Sequence, residues 1–330
     1  MPEAGSAAAA PPGGSPRVVV AVVVTHQPVI EATAVLVAAL APQVELLLVV
    51  DNGSGPEAVA ALEAVVASAG GSVVALPENV GIATAQNIGI AEARRAGAAF
   101  VLLSDQDSVP GDDMVARLLD GFDRAQRTGT RIGAVGPLIL DDRMPGAALL
   151  FAPHRWGPRR ATLPADASVL VPATFLLASG CLIPLSVLDE VGEMNGPWFI
   201  DHVDLEWGLR ARRAGFELLA VPDAVLHHRL GDRVVAVPGR ARDVHVHSPV
   251  RNYYMARNTV LLIRSGLMPA AWRWGYAAWI VKYSVFYALA MRPRGTRLRL
   301  LLRGLRDGAL GRTGSLGSAA TNARPSRGLA

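Results

Sequence analysis

The chain has 330 residues, enough for one large domain or for a main domain with an appendage. Its only cysteine is Cys181, which excludes a disulfide within the chain and fits a reducing compartment. Residues 251–330 contain 14 Arg or Lys and one acid, Asp307, a net charge of +13, while the whole chain carries +4, so residues 1–250 carry −9. This asymmetry predicts an acidic, cation-using body and a basic tail that meets an anionic partner.

Residues 1–16 are rich in Ala, Gly, Pro and Ser and have no basic stretch before an apolar run. This composition predicts a disordered leader rather than a signal peptide. From Arg17 onwards, apolar runs recur about every 27 residues with helix-compatible segments between them. The runs span residues 18–24, 44–50, 72–76 and 98–103. Near-continuous Val and Leu predict strands covered on both faces, and therefore an α/β fold with a mainly parallel central sheet.

Polar residues follow the first three runs. Residues 25–28, THQP, lack a Gly-x-Gly-x-x-Gly turn, which argues against a dinucleotide-binding dehydrogenase. Asp51 and Asn52 end the second run, where an acid and an amide either bind a nucleobase or ribose or simply form an Asn-Gly turn. Asn79 and Asn87 flank a helix of small residues, which either brings the backbone close to a ligand or packs closely against the sheet.

The fourth run ends in a turn with two acids, Asp105 and Asp107, on either side of Gln106. At the carboxyl end of a buried strand, two carboxylates one residue apart suit a divalent cation. An acidic turn without a metal is the alternative, because such turns commonly follow strands.

The pattern then predicts a helix over residues 112–125, a strand over 132–140 and an irregular loop over 141–170. That loop includes Trp156. Ser179 lies in a short turn before a buried strand, where it either lines the site or only packs.

A second acidic cluster lies in residues 197–215, where helical periodicity begins at Val203. Its acids and flanking tryptophans are Asp201, Asp204, Glu206, Trp198 and Trp207. Acids beside aromatic rings favour a pocket for a hydroxyl-bearing substrate, since rings pack against the apolar faces of sugars. Farther along, His228 follows a strand predicted at residues 218–221 and is a candidate third metal ligand, although a lone histidine is more often structural.

The basic C-terminal region begins with residues 251–258, RNYYMARN. Residues 267–291 mix aromatic residues with two cations, and their apolar stretch is shorter than the ~20 residues that a spanning helix needs. Together with the amphipathic residues 292–306, they predict helices that lie in a membrane interface. A helical dimer interface is the alternative.

Eight motifs in this order resemble those of family 2 glycosyltransferases with the GT-A fold: VVVTHQP, VVDNGS, NVGIATAQNIGI, LLSDQDS, SGCLI, FIDHVDLEWGLRARRAG, HHRLG and RNYYMARN. The resemblance covers about residues 17–312 and points to the bacterial rhamnosyltransferases that build cell-surface polysaccharides. It implies the following organisation after the leader: a catalytic domain over residues 17–250, with a donor half at about 17–140 and an acceptor half at about 141–250, a membrane-associating helical region over 251–312 and a disordered tail over 313–330.

The resemblance also implies roles for single residues. Those expected to bind the nucleotide sugar are Thr25, Asp51, Asn52, Asn79, Asn87, Asp105 and Gln106. Asp105, Asp107 and His228 would hold Mg²⁺ or Mn²⁺ on the diphosphate. Asp204, six residues before Arg210, would be the catalytic base. The family more often has an acid where Val203 stands, and Asp201 is a competing candidate for the base. The acceptor side would include Ser179, Trp198, Asp201, Glu206, Trp207, Arg251, Tyr254 and Arg257, although the last three could instead contact diphosphate or dock a helix.

The implied activity is an inverting, metal-dependent transfer of L-rhamnose from dTDP-L-rhamnose to a lipid-linked glycan. A transferase of another sugar, such as galactofuranose from UDP, and a non-catalytic membrane-bound scaffold with a vestigial site are the alternatives. A nucleotidyltransferase would need a glycine-rich basic loop after the first strand, which residues 25–28 do not supply. We expect a cytoplasmic protein, peripheral on the inner face of the plasma membrane, that contacts anionic lipid through residues 267–306. We expect no nucleic-acid partner, and homo-oligomerisation is left open.

Overall fold

The structure, a computed structural model, describes residues 17–141, 149–228, 233–235 and 244–317. The predicted leader lies outside the described residues, as do residues 142–148 of the predicted loop, the end of the HHRLG motif and residues 318–330 of the predicted tail.

The first half of the chain forms four parallel strands in the order β3-β2-β1-β4. The strands are β1 (Val19–Thr25), β2 (Leu46–Asp51), β3 (Ser72–Ala75) and β4 (Phe100–Asp105), joined by helices α1 (Ile30–Leu40), α2 (Pro56–Ser68) and α3 (Ile82–Arg95). Each strand lies within two residues of its predicted position. Alternate residues of β1 enter two different cores, one on each face of the sheet, which explains why its sequence is apolar throughout.

The second half extends the same sheet with both parallel and antiparallel strands. Its elements are β5 (Ser108–Pro110), α4 (Met114–Arg127), β6 (Ile132–Asp141), β7 (Phe151–Ala152), β8 (Arg159–Arg160), β9 (Val171–Ala173), β10 (Cys181–Pro184), α5 (Leu185–Val191), α6 (Val203–Arg213) and β11 (Glu217–His228). The sheet order is β3-β2-β1-β4-β10-β6-β11-β5, with β9 also paired to β11. The long β6–β11 pair is parallel, whereas the short strands β5, β9 and β10 pair antiparallel.

Two details of this half differ from the prediction. Strand β11 continues past residue 221 through an irregularity between Val221 and Val225, so His228 is the last residue of the strand rather than part of a separate turn. The loop predicted over residues 141–170 contains the small hairpin β7–β8.

The basic C-terminal region forms three helices, which follow the hairpin β12 (Arg233–Val235) and β13 (Val244–Val246). They are α7 (Pro249–Arg264), α8 (Ala270–Ala290) and α9 (Arg294–Ala309). Helix α9 lies close against α7 because Gly308 faces it without a side chain, and a Cβ at Gly308 would lie 2.6 Å from the carbonyl oxygen of Arg257. In the described parts of the chain, each helix is too short or too polar to cross a bilayer.

Candidate active site

A cavity of about 780 Å³ lies at the carboxyl ends of β1, β2 and β4, where a mainly parallel sheet is expected to bind its ligand. It brings together most of the residues predicted for the site: Thr25, Asn52, Asn79, Asp105, Gln106, Asp107, Ser179, Asp201, Asp204, Trp207, His228 and Arg251. The other predicted residues, Asp51, Asn87, Trp198, Glu206, Tyr254 and Arg257, do not line the cavity.

One wall of the cavity holds a cluster of two carboxylates and one imidazole. One potential ligand atom each from Asp105, Asp107 and His228 lies within 4.8 Å of the others. His228 is buried, and its Nδ1 lies 2.6 Å from the hydroxyl oxygen of Ser108, which lies 2.8 Å from that of Ser179. Oxygen and imidazole ligands in this number fit Mg²⁺ or Mn²⁺.

The turn after β2 (residues 51–54), which we call the nucleotide-side turn after its predicted role, is held together by hydrogen bonds to the side chain of Asp51. The fully buried carboxylate of Asp51 accepts hydrogen bonds from the hydroxyl of Thr25 at 3.0 Å and from the backbone N–H of Ser54 at 2.8 Å. Asn52 therefore reaches the cavity in its place, and its amide donates to the Oδ1 of Asn79 at 3.1 Å. Asp51 shapes the turn, and Asn52 and Asn79 present polar groups to the cavity.

His26 and Gln106 connect the ends of β1 and β4 at the same edge. Gln106 accepts from the backbone N–H of His26 at 2.8 Å and donates to its carbonyl at 3.3 Å. The ring Nδ1 of His26 lies 2.9 Å from the carbonyl oxygen of Asn52. Sequence reasoning did not select His26, although its position directly after the first strand was a usable signal.

Asp204, the predicted base, stands in the first turn of α6. Because of that prediction, we call the segment directly before α6 the base-bearing loop (residues 198–202). Three non-glycine residues of this loop have left-handed backbone conformations, with φ of 68° at Phe199, 68° at Asp201 and 62° at His202. Such conformations persist in non-glycine residues only where the surroundings enforce them. Phe199 also touches the nucleotide side, since a Cβ at Gly81 would lie 2.7 Å from its Cα.

The carboxyl group of Asp204 faces the cavity in a half-buried position. Burial raises its pKa to about 6, and the nearby charges of Asp105 and Asp201 act in the same direction. The group is therefore largely ionised at neutral pH, yet it holds a proton more readily than an ordinary aspartate. These are the properties of a general base.

Helix α7 supports the base-bearing loop from behind. The side-chain amide nitrogen of the fully buried Asn258 lies 3.0, 2.8 and 2.9 Å from the carbonyl oxygens of Trp198, Ile200 and Asp201. Arg257 donates to the Trp198 carbonyl at 2.7 Å. These contacts supply the constraint that the left-handed residues need, and Asn258 was not selected from the sequence.

Tyr254 and Arg257 thus support the loop and Trp198 is its first residue, and none of the three lines the cavity. The ring of Tyr254 stacks on that of Phe199 with centroids 4.9 Å apart. Arg257 is fully buried and Trp198 is part of the main core. In RNYYMARN, the residue that lines the cavity is Arg251, which forms an ion pair with the carboxylate of Asp201.

Glu206 and Asn87 also lie outside the cavity, and both hold the segment before the base-bearing loop. Glu206 is buried and accepts from the Nε of Arg210 at 3.0 Å and from Asn195 at 3.3 Å. The side-chain amide of Asn87 exchanges two hydrogen bonds with the backbone of Met194, at 2.8 and 2.9 Å. Asp201 is therefore the additional acid at the cavity, a position that the sequence suggested equally for Glu206.

Aromatic residues line a part of the cavity that we call its aromatic end. Trp156, Tyr276 and Trp279 line it, and Trp207 contributes from α6. Sequence reasoning assigned the rings of α8 to a membrane surface as one group. The spacing of residues 276, 279, 283 and 287 places them on one helical face, a signal that separates them from the aliphatic residues of the opposite face.

Comparison with known proteins gives concordant matches. A family model described as glycosyltransferase like family 2 matches residues 16–254. The dTDP-rhamnosyl transferase RfbF of Shigella flexneri is 30% identical over 249 residues, which are 74% of this chain and 80% of that protein.

Two solved structures illustrate the fold. GalNAc-T7 with UDP, GalNAc and Mn²⁺ matches with a TM-score of 0.53 at 14% identity, over 84% of this chain but only 59% of that chain, less than two thirds. Residues 1–349 of Staphylococcus aureus TarS in complex with UDP-GlcNAc match with a TM-score of 0.54 at 15% identity, over 88% of this chain and 80% of that chain. At these identities the matches show a common fold, and they confirm the fold class predicted from the sequence.

Proposed function

We propose, since this chain belongs to glycosyltransferase like family 2, that it transfers L-rhamnose from dTDP-L-rhamnose to a hydroxyl group of a glycan. Glycosyl transfer follows from the family, and the choice of rhamnose rests on the similarity to dTDP-rhamnosyl transferase RfbF. One observation carries the proposal: the Asp105, Asp107 and His228 cluster and the carboxyl group of Asp204 border the same cavity.

The donor would lie with its nucleotide against Thr25, Asn52 and Asn79 and its diphosphate towards the acidic cluster. Asp105, Asp107 and His228 would hold Mg²⁺ or Mn²⁺, which supplies positive charge against the charge that develops on the departing diphosphate. Without such compensation, two acids at this position would repel the diphosphate.

Asp204 would accept the proton of the acceptor hydroxyl as the hydroxyl oxygen attacks C1 of the sugar. A positioned general base typically contributes 10²- to about 10⁴-fold to the rate. Direct displacement inverts the anomeric centre and needs no nucleophile from the protein. Consistently, Cys181 borders the cavity but burial raises the pKa of its thiol, which keeps it protonated.

The structure favours Asp204 over Asp201 as the base. The side chain of Asp201 is almost fully buried, and both its oxygens are engaged by the guanidinium of Arg251, with Nε distances of 3.2 and 3.4 Å. A carboxylate whose lone pairs bind a guanidinium is poorly placed to accept a proton from substrate. Asp201 is better suited to position Arg251.

The choice of donor is tested by incubating purified protein with nucleotide sugars and measuring the nucleoside diphosphate that is released. In the presence of Mn²⁺ we expect dTDP release from dTDP-L-rhamnose, abolished by EDTA and strongly reduced in Asp107→Ala. The exposed Asp112, outside the cluster, provides a matched control, and Asp112→Ala should behave as wild type. Use of UDP-galactofuranose without use of dTDP-L-rhamnose would overturn the choice of sugar. Binding of dTDP without any turnover would favour a scaffold.

The acceptor is proposed to be lipid-linked, and the outer faces of α8 and α9 support a membrane location. Val281, Val285 and Leu289 on α8 are 62%, 52% and 65% exposed, and Leu298 and Leu302 on α9 are exposed too. The exposed cations on these two helices and between them include Lys282, Arg292, Arg294 and Arg299. An apolar face with a basic rim fits the surface of an anionic bilayer, which agrees with a peripheral protein on the cytoplasmic face of the plasma membrane.

Sedimentation with vesicles tests this location. The protein should pellet with phosphatidylglycerol vesicles and much less with phosphatidylcholine vesicles, and the double substitution Val285→Glu and Leu289→Glu should abolish pelleting. Unchanged pelleting of the double variant would exclude this face as the contact.

A further inference from the structure

We infer that the aromatic end of the cavity is a carbohydrate subsite for the acceptor, in which Trp156, Tyr276 and Trp279 pack against the apolar face of a pyranose ring. The acceptor group that receives the sugar would thus belong to a saccharide rather than to a lipid or a protein side chain. This inference rests on the proposed function, which takes a glycan as the acceptor, and adds the residues that would bind the acceptor sugar.

The position of the rings places them on the acceptor side. The residues proposed to hold the nucleotide follow β1, β2 and β3, which lie on one side of β4 in the sheet. The rings come from α8 and from the connection between β7 and β8, and Phe151 of β7 bridges to Phe175, which follows β9, on the other side of β4. Asp204 borders the same cavity as both groups, so a sugar on the rings can direct a hydroxyl towards the base.

The rings are held in place before any ligand binds. The indole N–H of Trp272 donates to the carbonyl of His154 at 2.7 Å, which ties the hairpin to α8. Gly275 allows the backbone of Trp156 to lie directly on the helix, because a Cβ there would overlap it. A prearranged surface loses little conformational freedom on binding, which favours affinity.

The rings also abut the base-bearing loop. The imidazole of His202 lies with its centroid 6.1 Å from those of Tyr276 and Trp279, and it accepts from or donates to the hydroxyl of Thr259 at 2.9 Å. Burial lowers the pKa of His202 to about 4, so this ring is neutral and packs as an aromatic group at neutral pH. A ligand on Tyr276 and Trp279 would therefore lie close to His202, which is two residues before Asp204 in the chain.

The mixture of groups at this end favours a sugar. Trp156 and Trp279 are 50% and 39% exposed, so both side chains are accessible to a ligand. Beside them the cavity is lined by the Asp201–Arg251 ion pair and by His247, whose Nδ1 lies 3.2 Å from Arg251. A pyranose needs both an apolar surface for its C–H face and polar groups for its hydroxyls. A hydrocarbon chain would cover the ion pair without offering it any hydrogen bond.

Acceptor kinetics test the inference with dTDP-L-rhamnose as donor and octyl glycosides of galactose, rhamnose and N-acetylglucosamine as acceptors. Trp279→Leu, which keeps much of the volume but removes the ring, should raise the acceptor KM about tenfold and leave the donor KM nearly unchanged. Trp279→Tyr keeps a ring and should restore most of the acceptor affinity, and Trp156→Leu should resemble Trp279→Leu. An acceptor KM unchanged in Trp279→Leu, a loss confined to the donor KM, or octanol accepting as well as the octyl glycosides would each overturn the inference.

A binding measurement without donor separates this inference from the proposed function. In saturation-transfer NMR with the three corresponding methyl glycosides, wild type should saturate the protons of one sugar face, and Trp279→Leu should lose the signal. Loss of signal in the variant, with no turnover of any nucleotide sugar by wild type, would refute the proposed function and keep the subsite. Normal transfer by wild type with equal saturation in both proteins, or with none in either, would refute the subsite and keep the function.

Discussion

The nucleotide-side turn and the base-bearing loop border one cavity, and both need backbone in the left-handed region. In the turn this conformation falls on a glycine, Gly53, with φ of 79°. In the loop it falls on Phe199, Asp201 and His202, for which the same conformation is unfavourable by about 1 kcal/mol or more each.

The two segments are also held differently. Asp51, Ser54 and Thr25 close the turn with hydrogen bonds among neighbouring strand ends. The loop depends on Asn258, which lies 57 to 60 residues away in the chain. The nucleotide-side turn is thus held by residues at neighbouring strand ends, while the loop before Asp204 depends on helix α7. This difference leads to four predictions.

The largest effect should come from Asp204→Asn, because this carboxylate is the proposed base. We expect kcat for sugar transfer to fall 10²- to about 10⁴-fold, with donor affinity retained. Since burial disfavours the charged form, the neutral amide should also raise the free energy of unfolding at pH 7 by about 1 to 3 kcal/mol. Chemical denaturation measures the latter. A greater kcat loss in Asp201→Asn than in Asp204→Asn would move the base to Asp201.

Next in size is Gly53→Ala in the nucleotide-side turn. A Cβ at Gly53 would lie 2.6 Å from the backbone nitrogen of Asn79, in addition to the strain of a positive φ. We expect a loss of about 2 to 4 kcal/mol in the free energy of unfolding, measured with urea. Gly55 provides the control, since its φ is +98° but no atom lies within 4 Å of its Cβ position, so Gly55→Ala should lose about 1 kcal/mol. Equal losses would show that strain, rather than close packing, defines the turn.

Asn258→Ala should lower stability and activity together, since it removes the donors that hold three carbonyls of the loop. A loss of about 1 to 3 kcal/mol in unfolding free energy and of about tenfold in kcat is expected. The counterpart in the turn, Ser54→Ala, should lose about 1 kcal/mol with little change in kcat. If Ser54→Ala lowers kcat as much as Asn258→Ala, the proposed contrast between the two segments fails.

The smallest effect near neutral pH is expected for the pH dependence of kcat/KM and of stability. The raised pKa of Asp204 predicts that kcat/KM falls below about pH 6, tenfold per pH unit, and is level above it. Stability changes in the opposite direction, because the folded state favours the protonated form of Asp204. The stabilisation from this protonated carboxyl group is present at acidic pH and is lost as the pH rises through about 6. A cation at the acidic cluster should move both midpoints downward. A rate profile without an acid limb in the range of pH 4 to about 7 would contradict the role of Asp204.

The contrast also explains what could be predicted from the sequence. Asp105 ends β4 and His228 ends β11, so the sequence could place both at the carboxyl edge of the sheet. Two strands lie between β4 and β11, and the cluster forms because β5, which follows Asp107, pairs with β11 and brings Ser108 opposite His228. The short strand β5 was not predicted. Asn258 could not be selected, because its importance lies in three carbonyls contributed by a distant loop. Glu206 was assigned to the acceptor side because it belongs to the motif that contains the predicted base. In the structure it is buried and accepts a hydrogen bond from Arg210, one turn later in α6.

Gly81 packs against Phe199 of the base-bearing loop, and its neighbour Val80 donates its backbone N–H to the side chain of Asn52 in the nucleotide-side turn at 2.9 Å. This short segment therefore links the two. In a saturation library at codon 81 selected for sugar transfer, sequencing of the survivors should recover glycine alone. Even alanine would displace Phe199 and, through the loop, Asp204. Gly81 would thereby set the distance between the proposed nucleotide site and the proposed base.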